Sequence, residues 1–172
     1  MYRDYKDLLS AFQSHGVKYL VVGGFAVIYH SQPRFTKDID LFIEAEPENA
    51  KAIYAALAEF GAPLEGIAPQ DFTDRNSFFR FGREPKGFDI LPAIPGVDFD
   101  AAWERRVETV VDTATGLKAN FISAADLIAS KLASGRARDL ADVEDIRKTL
   151  ESQQPRPAKK PPEPTPGSGP DR

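Results

Sequence analysis

The chain has no cysteine among its 172 residues. That absence excludes a disulfide framework, every cysteine-ligated zinc or iron–sulfur site, and a thiol nucleophile. Only two histidines occur, His15 and His30. A histidine-rich metal centre is therefore excluded, and a Ser-His-Asp triad would have to draw on one of the two. No apolar run approaches the roughly 20 residues that span a bilayer. The charged start, MYRDYKDLLS, lacks the apolar core of a secretory signal. Positive charge is not in excess either: the net charge is −4 and the pI is about 5.3. This argues against a broad basic face for duplex DNA, while leaving room for a small basic groove. The expectation is a soluble, cytoplasmic protein without membrane contact.

What is present divides in two. Residues 152–172 hold seven of the fourteen prolines and no large aliphatic or aromatic side chain. Such a segment buries too little apolar surface to offset its ordering entropy, so it reads as a disordered, proline-rich tail. Its Lys160-Pro161-Pro162-Glu163-Pro164 stretch reads either as a docking peptide or as a plain solubilising tail. Residues 1–151 are long enough for one domain with a real core.

Within that domain the spacing predicts a helix over 4–15, with Tyr5, Leu8, Leu9 and Phe12 on one face. A strand follows at Val17–Val22, then Gly23-Gly24 and a short apolar helix over 25–31. Asp38–Glu44 reads as a second strand, and a helix over about 47–60 opens on Pro47 and closes at Gly61. Residues 62–76 read as a loop. A hairpin is expected from 77–82 and 88–91 around a Pro-Lys-Gly turn, then a short helix at 100–105 and a strand pair at 107–111 and 117–122. Ser123 caps a helix to about 133. The last helix, 138–150, places Leu140, Val143, Ile146 and Leu150 inward. The sum is a mixed α/β (α+β) domain, with a largely mixed sheet flanked by helices and a C-terminal helical pair.

The informative stretch is GGFAVIYHSQPRFTKDIDLFIE, Gly23 to Glu44. Asp38 and Asp40 are two apart on a predicted strand, so both face one side while Ile39 and Leu41 face the core. Adjacent carboxylates repel unless a cation compensates, and hard oxygen donors suit Mg²⁺ or Mn²⁺; two solvated acids at a strand end would look the same. Gly23-Gly24, between strand and helix, has the make-up of a phosphate cradle as well as of a simple turn. Asp89, in GFDIL, lies on a later apolar strand. It is a third acid for the same site if the two strands are neighbours, and a structural acid otherwise.

The pattern Gly23-Gly24, Arg34-x-Thr36-x-Asp38-x-Asp40-Leu41 and then Asp89 resembles the nucleotidyltransferase-fold (polymerase-β-like) superfamily. Its form is most similar to the bacterial abortive-infection type IV toxin (AbiEii-like) group. Lys131 and the segment Arg136-Ala137-Arg138-Asp139-Leu140-Ala141-Asp142 resemble that group's closing helices more loosely. The resemblance covers about residues 17–45, 77–92 and 123–150. It implies that Gly23 and Gly24 hold a nucleoside triphosphate such as ATP, with Arg34, Thr36, Lys37 and Lys131 as further nucleotide-binding residues. It implies that Asp38, Asp40 and Asp89 are the catalytic, Mg²⁺- or Mn²⁺-binding acids. The implied reaction moves NMP from an NTP to a hydroxyl on RNA, protein or a small molecule, in a toxin–antitoxin setting or as a homodimer.

From the residues alone, several of these have plainer readings. Arg34 and Lys37 fit a solvated loop, Lys131 a surface lysine, and Arg138 with Asp142 an i, i+4 ion pair. Gly24 stands where many members of the superfamily have serine. Two rival functions also stay open: a non-catalytic partner-binding or antitoxin module, and a metal-dependent phosphodiesterase.

Overall fold

A computed structural model describes residues 1–83 and 86–155. The order of elements follows the expected sequence. Helix α1 (Arg3–Ser14) is followed by β1 (Tyr19–Val22), α2 (Gly23–His30), β2 (Ile39–Ile43) and α3 (Pro47–Phe60). A 3₁₀ turn at Pro69–Thr73 precedes β3 (Phe79–Arg83), β4 (Lys86–Leu91) and α4 (Phe99–Glu104). The chain then runs through β5 (Val107–Asp112), β6 (Leu117–Phe121), α5 (Ala124–Ser134) and α6 (Ala137–Gln153).

The six strands form one mixed sheet in the order β3-β4-β2-β1-β6-β5. β1 runs antiparallel to β2 and parallel to β6, and β2 runs parallel to β4. Helices cover the sheet, so its central strands are largely apolar apart from Asp40 and Asp89, and their residues Leu20, Val21, Ile39, Leu41 and Ile43 are fully buried. α1 packs on α3, and α2 packs on β1 and β2 and meets α5 and α6. The α1 stripe Tyr5, Leu8, Leu9 and Phe12 is buried as its spacing requires. Pro47 opens α3 and Gly61 closes it. Ser123 caps α5 by accepting the Asp126 backbone N–H at 3.1 Å.

Several boundaries move, each for a visible reason. β1 begins at Tyr19, not Val17, because the Asn49 side chain takes both backbone groups of Lys18, at 2.8 and 3.0 Å. Gly23 and Gly24 are the first turn of α2 rather than a turn before it. Lys86 and Gly87 belong to β4, with Arg83 opposite Lys86, so they do not form the hairpin turn. Pro85 lies outside the described residues, as does the proline-rich stretch 156–172. On α6, Val143 and Ile146 are buried but Leu140 and Leu150 are exposed. The inward positions near its start are instead Asp139 and Asp142, for a reason that lies in the site. No helix among the described residues is long and apolar enough to cross a membrane.

Candidate active site

The register of the sheet gathers the acids. Val22, the last residue of β1, pairs with Asp40 at the start of β2. Asp40 in turn stands opposite Asp89 of the parallel strand β4. Neighbouring strands lie about 4.8 Å apart, so the two carboxylates stand side by side, with Asp38 just before β2. Ile39 and Leu41 point the other way, into the core, with no exposed surface.

Two clamps fix this edge. Asp38 accepts the Gly87 backbone N–H at 3.2 Å. The Tyr5 hydroxyl, from α1, lies 2.5 Å from the Lys37 carbonyl and 3.0 Å from that of Gly87. It thereby ties the chain before β2 to β4. Burial, then the charge of Asp38, pushes the Tyr5 hydroxyl up to about 12, so it stays a hydrogen-bond donor.

The glycines make room. Gly23 has φ +62°, a conformation that side chains resist, and a Cβ there would collide with the Asp40 carboxylate. A Cβ on Gly24 would collide with the Thr36 hydroxyl. The Thr36 side chain thus fills the space that a serine at position 24 would need, which accounts for the Gly-Gly form in this chain.

The acids are in electrostatic tension. Burial, then Asp89 and Asp38, raises the Asp40 carboxyl to about 7, against the partial relief of Arg80 and Lys131. Arg80, on edge strand β3, stands opposite Asp89 and donates Nε and Nη2 to its two oxygens, both at 2.9 Å. Sequence reasoning missed Arg80 and the Tyr5 hydroxyl. A hairpin register would have pointed to the first, since Arg80 alternates with the apolar Phe79 and Phe81. No local signal marked the second.

A second layer comes from the C-terminal helices. Lys131 of α5, only 11% exposed, donates to Asp139 at 3.0 Å and to Asp142 at 2.8 Å. Arg136 donates Nε to Asp139 at 2.8 Å, and Arg34 forks onto both oxygens of Asp142. Lys131 is therefore no surface lysine. Asp142 does not form a surface pair with Arg138, because Arg34 and Lys131 hold it at 3% exposure. Two acids face inward on α6 because three cations from elsewhere meet them there. Burial raises the Asp139 carboxyl, but the hydrogen bonds from Arg136 and Lys131 outweigh it and hold it at about 2.

All nine residues read from sequence line one cavity of about 710 Å³: Gly23, Gly24, Arg34, Thr36, Lys37, Asp38, Asp40, Asp89 and Lys131. Phe35, Arg80, Leu91, Arg136, Arg138, Asp139 and Asp142 complete it. The matching family model spans residues 4–151, and its family is described as "Nucleotidyltransferase of unknown function (DUF6036)". The chain belongs to that family. No curated protein gives a match. For a nucleotidyltransferase, the acids beside Gly23 offer the hard oxygen donors that a divalent cation takes, and their mutual repulsion is what such a cation would relieve. As they stand, no three metal-ligating side chains among the described residues are grouped to share one ion. Asp89 would have to be released by Arg80 to take part.

Proposed function

We propose that this family member is a Mg²⁺- or Mn²⁺-dependent transferase that moves NMP from an NTP to an acceptor hydroxyl. The carrying observation is that all nine residues read from sequence line a single cavity, with Asp40 and Asp89 in register on adjacent strands. The cavity also holds six cationic side chains against five carboxylates, although the chain as a whole carries −4. That local excess suits a polyanionic substrate.

In this reading Asp38, Asp40 and Asp89 would hold the metal, which supplies Lewis-acid and charge-neutralising chemistry at the phosphates. Gly23 and Gly24, which line the cavity at the start of α2, would offer backbone N–H groups to the triphosphate. Lys37 and Arg138 contribute positive charge to the cavity. Arg34 and Lys131, both engaged with Asp142, position the helical wall and add field rather than grip. The acceptor oxygen attacks the α-phosphorus. The bond from that phosphorus to the bridging oxygen breaks, pyrophosphate leaves with the electron pair, and a carboxylate at the site accepts the hydroxyl proton. Arg80 trades its Asp89 partner for phosphate oxygens, as a forked guanidinium can. The acceptor is RNA, protein or a small molecule, and a role beside a toxin or antitoxin partner accords with the sequence resemblance.

The test is transfer of label from each α-labelled NTP, with Mg²⁺ or Mn²⁺, onto cellular RNA, protein and small molecules. The Asp38→Asn/Asp40→Asn protein runs in parallel. Label moved by the native protein alone supports the reading, and the labelled species gives the acceptor class. The Arg80–Asp89 clasp favours one rival, a protein that keeps the fold for binding. Nucleotide bound without any transfer would favour that rival, and release of free nucleotide without pyrophosphate would favour a phosphodiesterase.

A further inference from the structure

Phe35 is 71% exposed, more than any other large hydrophobic side chain described. Apolar residues exposed singly are ordinary on protein surfaces, but this one differs in two respects. First, it lines the charged cavity itself. Second, its neighbours are held on both sides. Arg34 forks onto Asp142, and the Thr36 side chain packs where Gly24 has no Cβ. The chain on either side of Phe35 is thereby fixed while its ring stands bare. Among the described residues lining the cavity, Thr36 is the only neutral polar one and Phe35 the only ring. Most of the cations and acids that could read a base edge are bound to one another: Arg34, Lys131 and Arg136 to Asp139 and Asp142, and Arg80 to Asp89.

From this we infer that Phe35 is the stacking platform for the nucleobase of the bound nucleotide, and that the site accepts all four bases. The inference rests on the nucleotide-binding reading above and deepens it. A phenyl ring offers a π face that every base can stack on and no hydrogen-bonding group that distinguishes them, and one such stack tightens binding by about tenfold or more. Phosphate recognition then belongs to the glycines and cations, and base recognition to one ring.

Calorimetric titration of ATP, GTP, CTP, UTP and inorganic tripolyphosphate, each with Mg²⁺, tests this on the full chain and on F35A, F35L and F35W. The expected result is that the four NTPs bind the native protein within a few-fold of one another. F35A and F35L should weaken all four about tenfold, the worth of one stacked base. F35W should restore binding, and tripolyphosphate should bind every variant alike. NTP affinity unchanged in F35A would overturn the inference. So would equal losses for NTP and tripolyphosphate, which would mark Phe35 as a support for its neighbours. A native preference of more than about tenfold for one base, on the order of 1.4 kcal/mol, would overturn the acceptance of all four. If the native protein bound neither NTP nor tripolyphosphate, the nucleotide-binding reading itself would fall.

Discussion

A carboxylate buried beside two others destabilises the fold that carries it, and Asp40 is in that position. The Asp40→Asn protein should therefore be more stable than the native one by about 1–3 kcal/mol in the absence of metal, while losing transfer. Thermal or urea unfolding beside the label-transfer assay checks both halves. An Asn variant that is less stable would mean that the repulsion is already compensated, and one that keeps its transfer would remove Asp40 from the mechanism. Gly23→Ala acts in the opposite sense. It adds a Cβ at φ +62° against the Asp40 carboxylate. The expected result is a folded protein destabilised by about 2 kcal/mol or more, with transfer abolished. A Gly23→Ala protein of native stability would contradict the close approach seen here.

Between the elements, Lys131 joins α5 to α6 through two buried acids. Lys131→Met leaves both short of a cation and should cost about 3–5 kcal/mol, measured by urea unfolding. Asp139 sets an acid limit on the same joint. Its folded carboxyl is held at about 2, below the roughly 3.9 of an unfolded chain. Its contribution is thus fully present above about pH 4 and fades as pH falls toward 2. In Asp139→Asn, acid unfolding should be shallower over that window, and an unaltered acid limb would show that the pair does not stabilise the fold. Sequence revealed one half of this arrangement well. A period of two placed Asp38 and Asp40 on one face, and the apolar run around Asp89 marked its strand. Arg80 stayed hidden because a cross-strand partner needs the register, and the turn was placed too late in the chain. The Tyr5 hydroxyl stayed hidden because its ring belongs to an apolar stripe, and its partners are 32 and 82 residues away. Leu140 turns outward because counting apolar residues cannot show when distant cations draw acids inward, whereas Leu150 shares the buried face but stands near the far end of α6 and is exposed there.

Across the whole molecule, the charge of the cavity opposes that of the chain. A cationic pocket in a protein of net charge −4 attracts an anionic substrate over about a Debye length, which shrinks from roughly 14 Å to 6 Å between about 50 and 300 mM salt. The KM for NTP should rise several-fold over that range with kcat little changed, as steady-state kinetics would show; a KM indifferent to salt would speak against field-assisted capture. The ion-pair network has a consequence of another kind. Arg34 and Asp142 are 108 residues apart, and the acids of residues 38–89 are complete long before Lys131, Asp139 and Asp142 are made. Translation runs from the N-terminus and domains fold as units, and β6 pairs with β1 in the middle of the sheet. The acids and the wall that encloses them are therefore brought together in one step, only after the last helix has been made.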